Sequence, residues 1–317
     1  MDLLDHRASS RGFFSRAEAL DSGLRDADLA AGRRDGSLAR VRHGYYAPGP
    51  AWRALDGVGK HLLLADTWTH QMGDGAVALS HLTGALAHGL DVWGLPLDTV
   101  HVTRLDGGTG RRARGIVHHL GRTREEEVSE DGGRLVLPPA RCALEAATLG
   151  DAESALVVLD SLKHRRLATD EEVHRQFLAM ARWPRTRKLH VVVRMSDGRA
   201  ESVGESRLRW RLRCAGMPAP VLQYEVRDHD GEVVAVCDLA WPGLGIVVEF
   251  DGLAKYGRLL APGTTPAEAL VAEKRREDLV RELTGFTVIR VVWADLADPA
   301  RLRARIDRAV AARRALA

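Results

Sequence analysis

Residues 233–250 constrain the fold of this chain more than any other segment. Two apolar runs, Val233 to Leu239 and Ile246 to Phe250, are separated by the sequence Trp-Pro-Gly-Leu-Gly. Apolar runs of this length, bounded by proline and glycine, are typical of two strands joined by a turn. Such a hairpin places Asp238 beside Glu249, so two carboxylates meet on neighbouring strands.

A third carboxylate follows, because Asp251 lies two residues after Glu249 and strand side chains alternate between faces. Carboxylates that share one face repel one another unless a cation is present. Mg²⁺ (or Mn²⁺) is a hard cation that carboxylate oxygens bind well. The segment therefore predicts a metal site made by Asp238, Glu249 and Asp251, with Lys255 close enough to stabilise charge on a phosphate.

The length of 317 residues favours two or three domains, and the hydrophobic fraction of 45% is sufficient for real cores. The net charge of +3 permits a polyanionic partner. Arginine outnumbers lysine, which favours forked contacts with phosphate or carboxylate. The same bias is expected of a chain encoded by a GC-rich genome, so both explanations stay open.

Cysteine usage and hydropathy indicate a cytoplasmic protein. The three cysteines, Cys142, Cys214 and Cys237, form no C-x-x-C pair, which argues against a disulfide framework and against a zinc ribbon. The first residues lack the apolar core of a signal peptide. No apolar run approaches the ~20 residues of a membrane span, so we expect no membrane partner.

Residues 1–50 predict a winged helix-turn-helix domain. A helix from Arg16 to Asp21 and a second from Asp26 to Arg34 precede a hairpin that turns at His43-Gly44. In such a domain the second helix enters the DNA major groove and the wing lies along the backbone. The residues expected to contact DNA are basic and lie on that helix and wing: Arg33, Arg34, Arg40, Arg42 and His43. The alternatives are a small helical cap with solvated arginines and a winged helix that binds protein.

Residues 51–195 predict a middle α+β domain. Val100–Arg104 and Ile116–Leu120 have the character of short strands, and the intervening Asp-Gly-Gly-Thr-Gly run at 106–110 is expected to be a hairpin tip. Several histidines lie in this region, but their spacing matches no known metal-ligand pattern. We interpret them as core or surface residues: His81, His88, His118 and His119.

Residues 196–317 predict a third domain with the element order α-β-β-β-α-β-α. This order describes a mixed sheet flanked by helices, so the expected fold class of the chain is α/β with a winged-helix start. Its first helix runs from Glu205 to Ala215, and a long charged helix runs from Pro266 to Leu283.

The third domain resembles the PD-(D/E)XK nuclease superfamily, and in particular the restriction-endonuclease-like domains related to very-short-patch (Vsr-like) repair enzymes. The segments that carry the resemblance are Glu-Ser-Val-Gly-Glu-Ser-Arg-Leu-Arg at 201–209, Asp-Leu-Ala-Trp-Pro at 238–242, Val-Glu-Phe-Asp-Gly at 248–252 and Glu-Lys-Arg-Arg-Glu-Asp at 273–278. The resemblance implies a deoxyribonuclease that hydrolyses phosphodiester bonds with bound Mg²⁺ or Mn²⁺.

The family's catalytic residues carry over position by position. Glu205 matches the acidic residue of the first helix, and Asp238 and Glu249 match the metal-binding acids. Asp251 stands where the family usually has lysine, which is a departure, so Lys255 and Lys274 are the candidates to replace it. Lys274 and Arg275 on the long helix are also expected to contact DNA phosphates.

Residues 12–20 and 36–47 resemble the winged-helix start of AbiEi-type antitoxins, and residues 79–89 resemble the segment that follows it. Antitoxins of this type bind and repress their own promoters. The resemblance therefore implies DNA binding and raises a toxin or defence protein as a second partner.

Two classes of function follow from these patterns. The first is a metal-dependent DNA endonuclease guided by a winged helix, in defence or repair. The alternative is a non-catalytic, antitoxin-like transcriptional regulator with a degenerate nuclease fold. The residue Asp251 favours the regulator, whereas the retained Glu205, Asp238 and Glu249 favour the nuclease.

Overall fold

The computed structural model of this chain describes residues 10–73, 75–121, 127–252 and 265–316. Within these ranges helices and mixed sheets alternate, which confirms the predicted α/β class. The helices are α1 (Arg16–Asp21), α2 (Asp26–Asp35), α3 (Gly49–Ala54), α4 (Gly57–Met72), α5 (His81–Ala87), α6 (Pro139–Ala147), α7 (Ala152–His164), α8 (Asp170–Ala179), α9 (His190–Met195), α10 (Val203–Cys214), α11 (Pro266–Thr284) and α12 (Pro299–Leu316). The strands are β1 (Phe14–Ser15), β2 (Leu38–Arg42), β3 (Tyr45–Pro48), β4 (Val77–Leu79), β5 (Val100–Arg104), β6 (Arg111–Ala113), β7 (Ile116–His119), β8 (Ser129–Asp131), β9 (Arg134–Val136), β10 (Val221–Arg227), β11 (Val233–Trp241), β12 (Ile246–Phe250) and β13 (Thr287–Val291).

The chain packs as two compact units. The first comprises Met1–Val158 and Ala168–His190, and the second comprises Leu159–Leu167 and Val191–Ala317. The finer division into domains at 1–50, 51–195 and 196–317 stays a prediction.

The first unit begins with the predicted helix-turn-helix and wing. Helix α1 starts at a capping box, in which the Ser15 hydroxyl accepts a hydrogen bond from the Glu18 amide and the Glu18 carboxylate accepts one from the Ser15 amide. Helix α2 ends at Gly36, whose φ of 80° is a left-handed conformation that glycine adopts without strain. Strands β2 and β3 then form the wing, and β1 pairs with β3 in a three-stranded sheet.

Gly49, at the base of the wing, lies against the backbone where α2 ends. A Cβ atom at this position would stand 2.0 Å from the Gly36 carbonyl oxygen, which is part of the backbone and has little room to move. We expect Gly49→Ala to lower the free energy of unfolding by about 1–3 kcal/mol through this overlap. Thermal unfolding measures the loss. Gly243→Ala is the control, because a Cβ atom there meets no heavy atom within 4 Å, and an equal loss in both variants would contradict the prediction.

A six-stranded sheet follows in the first unit, in the order β6-β7-β5-β4-β9-β8. Here the sequence-based prediction of a hairpin tip at residues 106–110 was wrong. Strands β5 and β7 pair in parallel, and parallel neighbours are not joined by a tight turn. The chain instead forms an additional strand, β6, which makes the antiparallel hairpin with β7.

The second unit has a four-stranded sheet in the order β10-β11-β12-β13, with β12 and β13 parallel. The predicted α-β-β-β-α-β-α order is confirmed. One face carries Val248 and Phe250 and packs with leucines of α10 and α12, whereas the other face carries Val247 and packs with Val280 of α11. Because successive side chains alternate, Glu249 shares the face of Val247 and points toward α11.

Candidate nucleic-acid interface and acidic cluster

The winged helix exposes a group of basic side chains. Arg33 and Arg34 are exposed in the last turn of α2, Arg40 is exposed on β2, and His43 is exposed at the tip of the wing. In the described part of the chain, none of these three arginines forms an ion pair with a carboxylate. Their guanidinium groups are therefore available to an anion in solution.

Arg42 has a different environment from the other basic residues of the wing. Its side chain donates hydrogen bonds to the Thr67 hydroxyl at 2.8 Å and to the Thr67 carbonyl at 2.7 Å. Its guanidinium carbon also lies 3.9 Å from the centroid of the Tyr45 ring and 4.0 Å from that of the Trp68 ring. Arg42 thus ties the wing to α4 in this structure, and its contact with DNA stays a prediction.

In the second unit, strand pairing brings Asp238 next to the end of β12. The ladder runs Leu239 to Val248, and continuing it by one residue places Asp238 opposite Glu249, as the sequence predicts. The Asp238 Oδ2 atom accepts a hydrogen bond of 2.7 Å from the Phe250 amide. One oxygen of this carboxylate therefore stabilises the backbone at the place where β12 ends.

Glu249 is buried, and its partner is an arginine. Both of its carboxylate oxygens accept hydrogen bonds from Arg276 Nη2, at 2.7 and 2.8 Å, and Arg290 Nη2 lies 3.7 Å away. The two arginines also pair with Glu273, whose pKa is held at about 2 by its hydrogen bonds to them. Burial raises the pKa of Glu249 above its ordinary value, although Arg276 opposes this shift.

Glu205 is buried at the start of α10, and its partners are neutral groups. Its carboxylate accepts hydrogen bonds from the Ser202 hydroxyl at 2.7 Å, from the Glu201 amide at 3.0 Å and from the Gln223 amide group at 3.2 Å. Burial, followed by the negative charge of Asp238, raises its pKa. Arg209, four residues further along the same helix, pairs with Asp160 and not with Glu205.

The remaining predicted site residues do not meet at one point. Asp251 is partly exposed, and its amide donates to the Val291 carbonyl at 2.8 Å. Lys274 and Arg275 are exposed on α11. Lys255 lies outside the described residues.

The arrangement of the described acids gives no support to a divalent metal site. Within residues 10–73, 75–121, 127–252 and 265–316, no group of three or more His, Cys, Asp or Glu side chains is arranged to hold one. The face that Glu249 shares with α11 is supplied with positive charge by Arg276 and Arg290. The expectation of Mg²⁺ or Mn²⁺ stays a prediction, and we derive no hydrolytic step from it.

Sequence reasoning did not identify the arginines that hold Glu249. Arg276 belongs to the basic run at 274–276, which the sequence presents as a solvated helix face or a phosphate contact. A signal was nevertheless present, because Glu273 and Arg276 are three residues apart on one helix and Glu277 adds a third charge to the same face.

The N-terminal region matches a known protein family. Residues 1–49 match the family described as "Transcriptional regulator, AbiEi antitoxin", which confirms the resemblance of the winged-helix region. This family match does not extend to the second unit, whose resemblance to nucleases stays a prediction.

Two curated relatives cover most of the chain. They are the Mycobacterium tuberculosis proteins "Uncharacterized protein MT2308" (strain CDC 1551 / Oshkosh) and "Uncharacterized protein Rv2248" (strain ATCC 25618 / H37Rv). Each is 34% identical over 283 residues, which is 87% of this chain and 93% of the relative. The chain belongs to the same protein family as these two.

A solved structure also resembles the chain in part. It is the crystal structure of the RV2827C protein from Mycobacterium tuberculosis, with a TM-score of 0.40 and 15% identity, covering 71% of this chain and 87% of that one. In the part of the chain that the model describes, no helix is long and apolar enough to cross a membrane.

Proposed function

We propose that this protein is a DNA-binding transcriptional regulator of the AbiEi antitoxin type. The observation that carries the proposal is the exposed set of Arg33, Arg34 and Arg40, which lies on the second helix and the wing of a helix-turn-helix. Phosphate contacts are expected at these elements. The family match of residues 1–49 supports the same assignment.

Two acids of the second unit, Asp238 and Glu249, have a structural role in this proposal. Asp238 caps an amide at the end of β12, and Glu249 neutralises Arg276 beneath α11. Asp238 thus stabilises the end of a strand, and Glu249 binds the sheet to α11. This arrangement favours the regulator over the endonuclease.

Removing the three exposed arginines tests the DNA-binding surface. We expect the variant Arg33→Ala/Arg34→Ala/Arg40→Ala to lower affinity for duplex DNA by about 100-fold at physiological salt, because three phosphate contacts are lost. The slope of log affinity against log salt should fall by about 2 to 3. Fluorescence anisotropy measures both quantities, with a duplex from upstream of the protein's own gene and a scrambled duplex.

The matched control for this experiment is Arg25→Ala. Arg25 is also exposed on the winged helix, but Asp28 already neutralises it at 3.2 Å. Unchanged salt dependence in the triple variant, with the fold intact by circular dichroism, would exclude this surface as the DNA contact.

The nuclease alternative is tested separately by DNA cleavage. We expect supercoiled plasmid and single-stranded DNA to stay intact with the protein and Mg²⁺ or Mn²⁺, as they do with EDTA. If metal-dependent cutting occurs and Glu249→Ala abolishes it without weakening DNA binding, the endonuclease becomes the correct function.

The antitoxin description also makes a toxin a proposed partner. Co-expression of the chain with the products of neighbouring genes tests this, and the expected result is relief of growth arrest caused by one of them. If none of the neighbouring gene products arrests growth, the proposal of a partner toxin is wrong. The proposal of DNA binding does not depend on this result.

A further inference from the structure

The first unit contains a large cleft that the proposed function does not use. Its volume is about 1320 Å³, which is larger than a single ion or water cluster needs. The side chains that matter for its chemistry come from α5, β7, α6 and the segment after α8: His81, His119, Arg141, Glu145, Trp183 and Arg185. Because these residues come from segments that are far apart in the chain, no local sequence motif predicts the cleft.

The buried carboxylate of Glu145 contacts His81, one of the residues that line the cleft. Glu145 is 1% exposed and accepts a hydrogen bond of 3.0 Å from Arg141 Nε. The same carboxylate accepts one of 3.1 Å from the His81 amide and lies 3.1 Å from His81 Nδ1. Burial opposes ionisation of Glu145, but the hydrogen bonds and charges of His81 and Arg141 hold its pKa at about 2.

His81 is held in an unusual backbone conformation. Its φ is 49°, in a region that residues other than glycine seldom adopt and that clusters at binding sites. Since Nδ1 faces Glu145, the other ring nitrogen, Nε2, is on the opposite edge of the ring. None of the described residues forms a hydrogen bond with this Nε2, so it is the atom available to a bound molecule.

Two further histidines support the ring of His81. The centroids of the His81 and His119 rings lie 3.5 Å apart with the rings nearly parallel, and His119 Nε2 lies 2.9 Å from His101 Nδ1. Burial lowers the pKa of both His101 and His119 to about 3, so both are neutral at pH 7. The rings of His101 and His119 are thus uncharged neighbours of the His81 ring.

The rim of the cleft is basic and partly apolar. Arg182 and Arg185 are exposed, and neither forms an ion pair with any carboxylate among the residues that the structure describes. Trp183 lies between them, partly exposed, with the Arg141 guanidinium 5.3 Å from its ring centroid. Two leucines that line the same cleft are largely exposed, Leu120 at 67% and Leu178 at 56%.

We propose that this cleft binds a small organic phosphate of the nucleoside phosphate class. Arg182 and Arg185 would bind the phosphate, and His81 Nε2 would fix a polar atom of the ligand. Trp183 and the two leucines would cover the planar or apolar body. A small molecule fits better than duplex DNA, because His81 and the buried Glu145 line a cleft.

Binding to the full-length protein tests the proposal. Isothermal titration calorimetry with AMP, ATP, ribose 5-phosphate and inorganic phosphate is expected to show saturable binding of a nucleotide, at least tenfold tighter than inorganic phosphate. Arg182→Ala/Arg185→Ala should weaken that binding at least tenfold, and His81→Gln should weaken it as well. Arg187→Ala is the control, since Arg187 is an exposed neighbour that does not line the cleft, and it should bind normally.

Three results would overturn the proposal. One is the absence of saturable binding of any of the four probes up to millimolar concentration. Another is equal affinity in the double variant and the control, with both folded by circular dichroism. The third is loss of duplex DNA affinity in the double variant without any nucleotide binding, which would assign these arginines to the DNA surface.

Discussion

Replacing Asp160 with alanine is expected to destabilise the second unit by about 3–5 kcal/mol. Asp160 is 1% exposed, and its Oδ2 atom accepts a hydrogen bond of 2.6 Å from Arg209 Nη2. Its Oδ1 atom accepts one of 2.8 Å from the Asp197 amide. The substitution leaves a buried guanidinium without its carboxylate, and an uncompensated buried charge is strongly destabilising.

Differential scanning calorimetry with urea unfolding measures this loss. The control removes both charges together, as Asp160→Leu/Arg209→Met, which replaces the pair with apolar side chains of similar size. Because the desolvation cost of the pair then disappears, we expect most of the stability to return. A double variant as unstable as Asp160→Ala would show that the loss has another cause, such as the broken bond to the Asp197 amide.

Acidification is expected to destabilise the first unit because of two histidines, the buried His101 and the partly buried His119. His101 is 7% exposed, and burial and neighbouring positive charge lower its pKa to about 3, as they do for His119. In the unfolded chain histidine titrates near pH 6.5. Between these values the unfolded state binds more protons than the folded state, so stability is complete above about pH 6.5 and falls as the pH is lowered.

The expected size of this effect is roughly 2 kcal/mol for each histidine at pH 5. The residues whose charges act on the pair are His61, His81, His118, Arg112 and Glu145. Chemical unfolding at a series of pH values measures the slope. We expect His101→Gln/His119→Gln to flatten it between pH 5 and 6.5, whereas His174→Gln, at an exposed position, should leave it unchanged. A slope that persists in the double variant would assign the acid sensitivity to other groups.

Local sequence features were sufficient to predict the elements that carry the proposed function. Helix α1 is bounded by its capping box, α2 ends at a glycine with positive φ, and the wing turns at His43-Gly44, as the sequence indicates. Strand β12 has the predicted limits, and the hairpin register brings Asp238 to Glu249. These features depend on interactions between residues close in sequence, so they can be predicted from one sequence.

The partners of the charged residues could not be predicted in the same way. Arg42 and Arg40 are two residues apart on one strand, yet Arg42 packs on two aromatic rings and Arg40 is exposed. Likewise β5 and β7 pair in parallel, because an extra strand, β6, follows the stretch at 106–110 that was predicted to be a turn.

The sequence by itself determined the α/β class, the winged-helix start and the placement of acidic residues on adjacent strands, because propensity, capping and alternation act locally. Only the tertiary structure decided what those acids do. Arg276 reaches Glu249 from α11, and His81 reaches Glu145 from α5. A carboxylate's role depends on which charge folding places beside it, and that choice is made by contacts between residues far apart in the chain.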